Sequence, residues 1–258
     1  MTDVTEQALG GGNLSQVSRR GNEVLRPTGP WTPAVHTLLR HLEGRAVPGV
    51  PRVLGIEPDG RERLTFIEGE AGGDWTWTDY TLTKVGRWLR LYHDAVRDFV
   101  EPSDAVWRMC WAKQQPGEMI CHFDIAPRNL VLRPDGSIGV IDWDVAAPGD
   151  ARLDVGKAAN SFTPLADETR DSIHRVVRRT RLLLDAYGWE DSFSEITGWM
   201  IDAAGHSRMR ILRGADDGDA ALLALVEAGV PEKLAALGER LLRQRGRLED
   251  GFQASGGT

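Results

Sequence analysis

The sequence predicts an α+β protein of two lobes: a small β-rich N-terminal lobe with one helix, and a mostly helical C-terminal lobe that carries a β-hairpin. Three observations lead there. Short, partly β-branched runs broken by turn residues fill the first part of the chain. Apolar residues spaced three and four apart dominate everything after Asp154. Between them, Leu130-Val131-Leu132 and Ile138-Gly139-Val140-Ile141 flank Arg133-Pro134-Asp135-Gly136-Ser137, and Pro-Asp-Gly between two such runs is a tight-turn signal. The lobes are expected to divide into residues 1–68 and 69–258.

Taken in order, Gly10-Gly11-Gly12-Asn13-Leu14-Ser15 is a run whose backbone N–H groups can approach an anion. It lacks the spacing G-x-G-x-x-G and reads nearly as well as the junction of a tail. Residues 16–19 and 23–26 flank Arg20-Gly21-Asn22 and form a hairpin. Thr32-Pro33 opens a helix, with Thr as N-cap and Pro in the first turn. Val35, Leu38, Leu39 and Leu42 give that helix one buried face. Residues 50–56 and 63–68 read as strands around Pro58-Asp59-Gly60. After Trp75-Thr76-Trp77 comes a helix with Leu82, Val85, Leu89, Tyr92 and Val96 on one stripe. His93 on that helix is read as structural. Further helices follow around Ile173 to Leu184, Phe193 to Ala204, Leu222 to Val226 and Pro231 to Leu242, and residues 253–258 read as a polar, Gly-rich tail.

Composition narrows the function classes. No run of eighteen apolar residues and no charged-then-apolar leader is present, so a cytoplasmic protein without a membrane partner is expected. Cys110 and Cys121 make neither a disulfide framework nor a metal-ligand set. The net charge of -7 argues against a nucleic-acid partner and favours a cationic small-molecule substrate.

The chemistry is concentrated in Cys121-His122-Phe123-Asp124-Ile125-Ala126-Pro127-Arg128-Asn129 and in Ile141-Asp142-Trp143-Asp144. Phosphoryl transfer requires a carboxylate that orients a hydroxyl and an oxygen-rich ligand set for magnesium. The hairpin would bring Asn129, just before its first strand, close to Asp142, just after its second. His-x-Asp alone is an ordinary loop pattern; His, Asp, Asn, hairpin and Asp together are not.

His122 to Asn129 resembles the H-x-D-x-x-x-x-N loop of aminoglycoside phosphotransferases and their choline-kinase-like relatives. Residues 141–144, continuing through Ala146, Gly149-Asp150 and Asp154, resemble that family's I-D-W-D segment rather than the D-F-G of protein kinases. The resemblance implies a protein-kinase-like fold that transfers phosphate from ATP or GTP, with magnesium, to a hydroxyl of a small molecule. It makes Asp124 the catalytic base and Asn129 and Asp142 the metal ligands. Asp150 and Asp154 are read as caps or loop-fixing residues. The same resemblance places the nucleotide phosphates near the Gly10–Ser15 backbone, with Ser15 as a contact. It also places the nucleotide base near Phe66 and Ile67, where a core strand is the equal alternative. Asp185, Glu190, Asp191, Asp202 and His206 are candidates for the acceptor site, or else members of solvated helix faces.

One departure stands out. The family's strand lysine, which contacts phosphates and pairs with a helix glutamate, is missing: Lys84, Lys113, Lys157 and Lys233 all lie beyond the expected hinge. Arg26 occupies the lysine position, and His36 occupies the helix position expected to hold glutamate. A guanidinium can clamp phosphate with two parallel hydrogen bonds, but a histidine does not neutralise it as a carboxylate would. The departure keeps open a nucleotide-binding pseudokinase acting as sensor or scaffold. A metal-dependent hydrolase is disfavoured, because the ligands are too few for a two-metal site.

Overall fold

The computed structural model describes residues 5–9 and 17–254; the Gly10–Ser15 run and residues 255–258 lie outside them. The N-terminal region is an antiparallel sheet of β1 (Gln7–Ala8), β2 (Ser18–Arg20), β3 (Glu23–Arg26), β4 (Val53–Ile56) and β5 (Glu62–Thr65), in the order β1-β2-β3-β5-β4. Helix α1 (Thr32–Gly44) connects β3 to β4 and buries Val35, Leu38, Leu39 and Leu42, the face read from its periodicity. Its N-cap is Trp31, not Thr32. Thr32 is the first helical residue, and its hydroxyl reaches back to accept from the Gly29 N–H at 2.9 Å.

Two strands are shorter than expected. β4 begins at Val53 rather than residue 50, since Pro51 has no N–H for a ladder and the register shifts between Val53 and Gly55. β5 stops at Thr65 rather than residue 68: the Phe66 N–H still reaches the Asn22 carbonyl at 2.8 Å, but β3 begins at Glu23 and offers no partner strand beyond it. Strand β1 was not foreseen; two residues are too few for a periodic signal.

The C-terminal region begins with β6 (Glu70–Ala71), a 3-10 turn at Asp74–Trp77 and α2 (Asp79–Ala95). Then come β7 (Met119–Cys121), the hairpin β8 (Leu130–Leu132) and β9 (Ile138–Val140), and β10 (Ala147–Gly149). Helices α3 (Ala151–Phe162), α4 (Arg170–Tyr187), α5 (Ile196–Asp216), α6 (Ala220–Glu227), α7 (Val230–Arg243) and α8 (Arg245–Ala254) complete it. Helix α8 replaces the start of the expected tail: Gln253 is helical, and buried Leu248 and Phe252 anchor the helix. In the hairpin Leu130 faces Val140 and Leu132 faces Ile138, and Gly136 turns the chain at φ 75°.

One apolar core runs from α1 through α2 and the hairpin to α8, so the sheet region and helical region share packing. Gly49 ties them together. Its carbonyl accepts from Val140 N–H at 2.7 Å, and a Cβ there would stand 2.2 Å from the Ile138 carbonyl oxygen. With φ at 73° as well, only glycine fits. Among the described residues no helix is long and apolar enough to cross a membrane.

Candidate active site

The loop between β7 and β8 is held from below by Asp154 on α3. This fully buried carboxylate accepts from the backbone N–H groups of His122 and Phe123, each at 2.8 Å, and from His93 Nε2 at 3.2 Å. Burial opposes its charge, yet the His93 hydrogen bond, the nearby histidines and the loop donors hold its pKa below the usual carboxylate value. Asp150 caps α3 through the Arg152 N–H at 2.8 Å. Both acids therefore do the structural work expected of them, and His93, whose Nδ1 meets the Tyr187 hydroxyl at 2.9 Å, completes the support. His93, Cys121 and Asp154 lie close enough to hold a metal, but the oxygens of Asp154 are already engaged.

Gripped this way, the loop adopts a left-handed turn at Phe123, φ 57°, which aims Asp124 out of the core. His122 stays inside, with its ring 4.5 Å from that of Trp143. Its Nδ1 accepts from the Asp124 N–H at 3.2 Å, and burial lowers its pKa, so the ring is neutral. Asn129 donates its amide to the Asp124 carbonyl at 2.8 Å and to Asp124 Oδ2 at 2.7 Å. Arg128 Nη2 lies 2.5 Å from both Asp124 oxygens.

The hairpin closes as its turn signal implied. The Ile141 N–H donates to the Asn129 carbonyl at 3.0 Å, which sets Asp142 beside Asn129. Asp142 has φ 64°, an uncommon conformation for a non-glycine residue. Half of its side chain remains accessible from the cleft, while the surrounding protein pushes its carboxyl up against the pull of Arg26. Asn129 spends its amide nitrogen on Asp124 and keeps its side-chain oxygen, and Asp142 receives no hydrogen bond among the described residues. Two hard oxygen donors side by side fit a magnesium ion.

Arg26 reaches this point from β3. Its guanidinium pairs with Asp144 and stands 3.9 Å from Asp142 Oδ1. The carboxylate sought on α1 is supplied instead by β5: Glu62 Oε1 lies 2.9 Å from Arg26 Nε, and Glu62 Oε2 lies 2.7 Å from His36 Nε2. All three side chains are largely buried. Burial penalises the Arg26 charge, but Asp144, Glu62 and Asp142 outweigh that and raise its pKa. Asp144 also meets Arg108 at 3.4 Å, and Arg108 stacks on Trp31 at 4.4 Å from its ring centre. Asp144 is thus an interlobe anchor, and its oxygens are occupied by arginines.

At the expected hinge, the N–H of Phe66 is committed to Asn22 and its ring lies under Arg19 at 3.7 Å. Ile67 packs its side chain over Gly139. Of the acceptor-side candidates, His206 is brought to the loop, its ring 5.1 Å from Phe123, and burial first and Arg210 second lower its pKa to about 4. Asp185 and Glu190 instead stand 3.7 Å from Arg181 and Arg90 on helix surfaces, and Asp191 and Asp202 are exposed.

Sequence reasoning missed Glu62 and Lys157. Strand alternation carries a signal for Glu62, which shares the inward face of β5 with buried Leu64. Lys157 follows Asp154 by three residues and so lies on the same side of α3.

A family model described as the phosphotransferase enzyme family matches residues 73–179. The trifolitoxin immunity protein of Rhizobium leguminosarum bv. trifolii is 38% identical over 196 residues, 71% of this chain and 74% of that protein. The structure of a choline/ethanolamine kinase family protein from Mesorhizobium loti superposes with a TM-score of 0.63 at 17% identity, covering 95% of this chain and 94% of that one. Amicoumacin kinase hAmiN, solved with AMP-PNP, Ca2+ and Ami, gives a TM-score of 0.66 at 11% identity, covering 93% and 88%. At such identities the two structures bear on the fold alone, and that fold is the two-lobed, protein-kinase-like one.

Proposed function

The chain belongs to the phosphotransferase enzyme family, and from that premise we propose that it moves the γ-phosphoryl group of ATP or GTP to a hydroxyl of a small molecule. The observation that carries this reading is the meeting of Asp124, Asn129 and Asp142 at one end of a hairpin, with Arg26 reaching them from the opposite lobe. Asp124 orients the attacking hydroxyl and accepts its proton late, as the new P–O bond forms. Asn129 and Asp142 would hold magnesium, whose charge would offset that developing on the transferred phosphoryl group. Arg26 turns the free edge of its guanidinium to the phosphates, with Asp144 and Glu62, itself held by His36, fixing its fork. The base of the nucleotide sits at the backbone near Phe66 and Ile67, and this hinge divides the lobes after residue 68. Positioning supplies most of the rate enhancement.

The relative from Rhizobium carries immunity in its name, which supports an antimicrobial compound as the phosphoryl acceptor. Arginine in place of lysine favours a second reading, a nucleotide-binding protein without turnover. Glu62 weighs against it, because it restores the carboxylate that the sequence was missing.

Two substitutions test the nucleotide side. Asp142→Ala is expected to eliminate magnesium-dependent nucleotide binding, because one of the two oxygen donors is lost. Calorimetric titration giving the wild-type magnesium–nucleotide affinity would remove Asp142 from the metal site. Arg26→Ala is expected to weaken triphosphate binding by about 10–100-fold, the worth of a charge-assisted pair of about 1.5–3 kcal/mol. Nucleoside binding should hardly move, and Arg26→Lys should restore only part of the loss. Equal triphosphate affinity for wild type and Arg26→Ala refutes the clamp.

A further inference from the structure

We infer that the phosphoryl acceptor presents an anionic group, a carboxylate or a phosphate, beside the hydroxyl that reacts, and that Lys157 receives it. The inference rests on the phosphotransferase reading above and concerns only the charge that the acceptor side of that site takes. The two oxygens of Asp124 separate the sides of the site. Oδ2 accepts from Asn129 at 2.7 Å and so faces the metal and phosphate side. Oδ1 is approached by Lys157 Nζ at 4.0 Å from α3. Lys157 therefore stands beside Oδ1, the oxygen that Asn129 leaves free to take the proton of the incoming hydroxyl.

Its ammonium is unusually placed. The side chain is only 19% exposed, and 4.0 Å is too long for a direct hydrogen bond. Among the described residues the three N–H donors of Lys157 meet no hydrogen-bond acceptor. Donors that no protein group meets, on a cation that is only partly open to water, are ready to bond an anion that enters beside them. Burial lowers its pKa while Asp124 pulls it up. Nearby Asp154 cannot serve, since its oxygens hold the loop and His93. Arg128 lies on Asp124 itself, and Arg210 sits 4.6 Å from the Phe123 ring centre with its nitrogens on the carbonyls of Met109 and Val145.

Three cations thus surround one carboxylate on this side. The chain's net charge of -7 is spread over its whole surface and does not describe this wall. A polycationic acceptor would meet like charge here, whereas an anion would find unspent donors.

Matched three-carbon probes test this with the full chain: glycerate and glycerol 3-phosphate as anions, glycerol as neutral, and 3-amino-1,2-propanediol as cation. Calorimetric titration of each into the protein reads the site without turnover, and ADP release with magnesium and ATP reads it in the reaction. The anions are expected to bind more tightly than the other two probes, and the better of the two identifies the source as carboxylate or phosphate. Lys157→Met should weaken anion binding about tenfold or more, as expected for a charge-assisted hydrogen bond, and raise KM for the anionic acceptor more than it lowers kcat. Lys157→Arg should recover most of the binding. Lys157-dependent anion binding with no nucleotide turnover would count against the kinase reading alone and leave Lys157 as an anion site. Preference for the amine, no anion binding at millimolar concentration, or equal binding by wild type and Lys157→Met overturns it.

Discussion

Asp124→Asn is expected to slow phosphoryl transfer by about 10²–10⁴-fold, the usual loss for a positioned general base. Magnesium–nucleotide affinity should hardly change. An amide at this position keeps the size of the side chain, and Asn129 still has the Asp124 main-chain carbonyl, 2.8 Å away, to bond. What disappears is the anion that aligns the hydroxyl and takes its proton. Single-turnover kinetics beside a nucleotide titration separate the two effects. Comparable turnover in the mutant removes Asp124 from the chemistry.

The largest effect on stability is expected at Asp154. Asp154→Ala strips the acceptor from two buried backbone N–H groups and from His93, so a cost of about 3–5 kcal/mol is expected. Activity falls with it, because the same bonds shape the loop that aims Asp124. The acid limb of stability should change in a defined way. A carboxylate whose folded pKa is depressed stabilises above its unfolded value, and that contribution disappears as pH falls through the folded one. Asp154 is such a group. His122 and His206 act earlier: burial depresses both below the ordinary histidine value of 6.5, His206 to about 4, so the unfolded chain takes up protons first. Wild type should therefore lose stability from about pH 6.5 downward through the histidines, and further below about pH 4 through Asp154. In Asp154→Ala the second stage should become shallower, with Asp79, Asp150 and Asp219 carrying what remains, while the first persists through His206. Denaturant unfolding across this range measures it, and an unaltered second stage would show that Asp154 is not among the linked carboxylates.

The catalytic loop was legible because its chemistry is local. His122, Asp124, Asn129 and Asp142 belong to one loop and one hairpin, and a Pro-Asp-Gly turn is enough to join their ends. The stripes of α1, α2 and α4 were legible for the same reason, since a helix repeats its face every few residues. The partner of Arg26 was not. An acid was sought on α1, and His36 stands there, but it is Glu62 on β5 that joins the two. Strand pairing brings Arg26 opposite Glu62, and no sequence distance encodes that register. Lys157 was noted only as a lysine beyond the hinge, because its meaning depends on Asp124, which lies far from it in the chain. The ends of β4 and β5 were misjudged where Pro51 lacks an N–H for the ladder and where β3 runs out at Glu23. Helix α8 was not foreseen, and its last residues, Gln253 and Ala254, were read as tail, because Leu248 and Phe252 give too short a stripe to read alone.

The central claim is that this chain transfers a phosphoryl group to a small molecule rather than merely binding nucleotide. Incubation with γ-labelled ATP or GTP, magnesium and the panel of charged and neutral hydroxyl compounds tests it most directly. Label should appear in a product that is neither nucleotide nor inorganic phosphate, and should vanish with Asp124→Asn. Tight, magnesium-dependent nucleotide binding with no label leaving the nucleotide would contradict the claim and identify a pseudokinase.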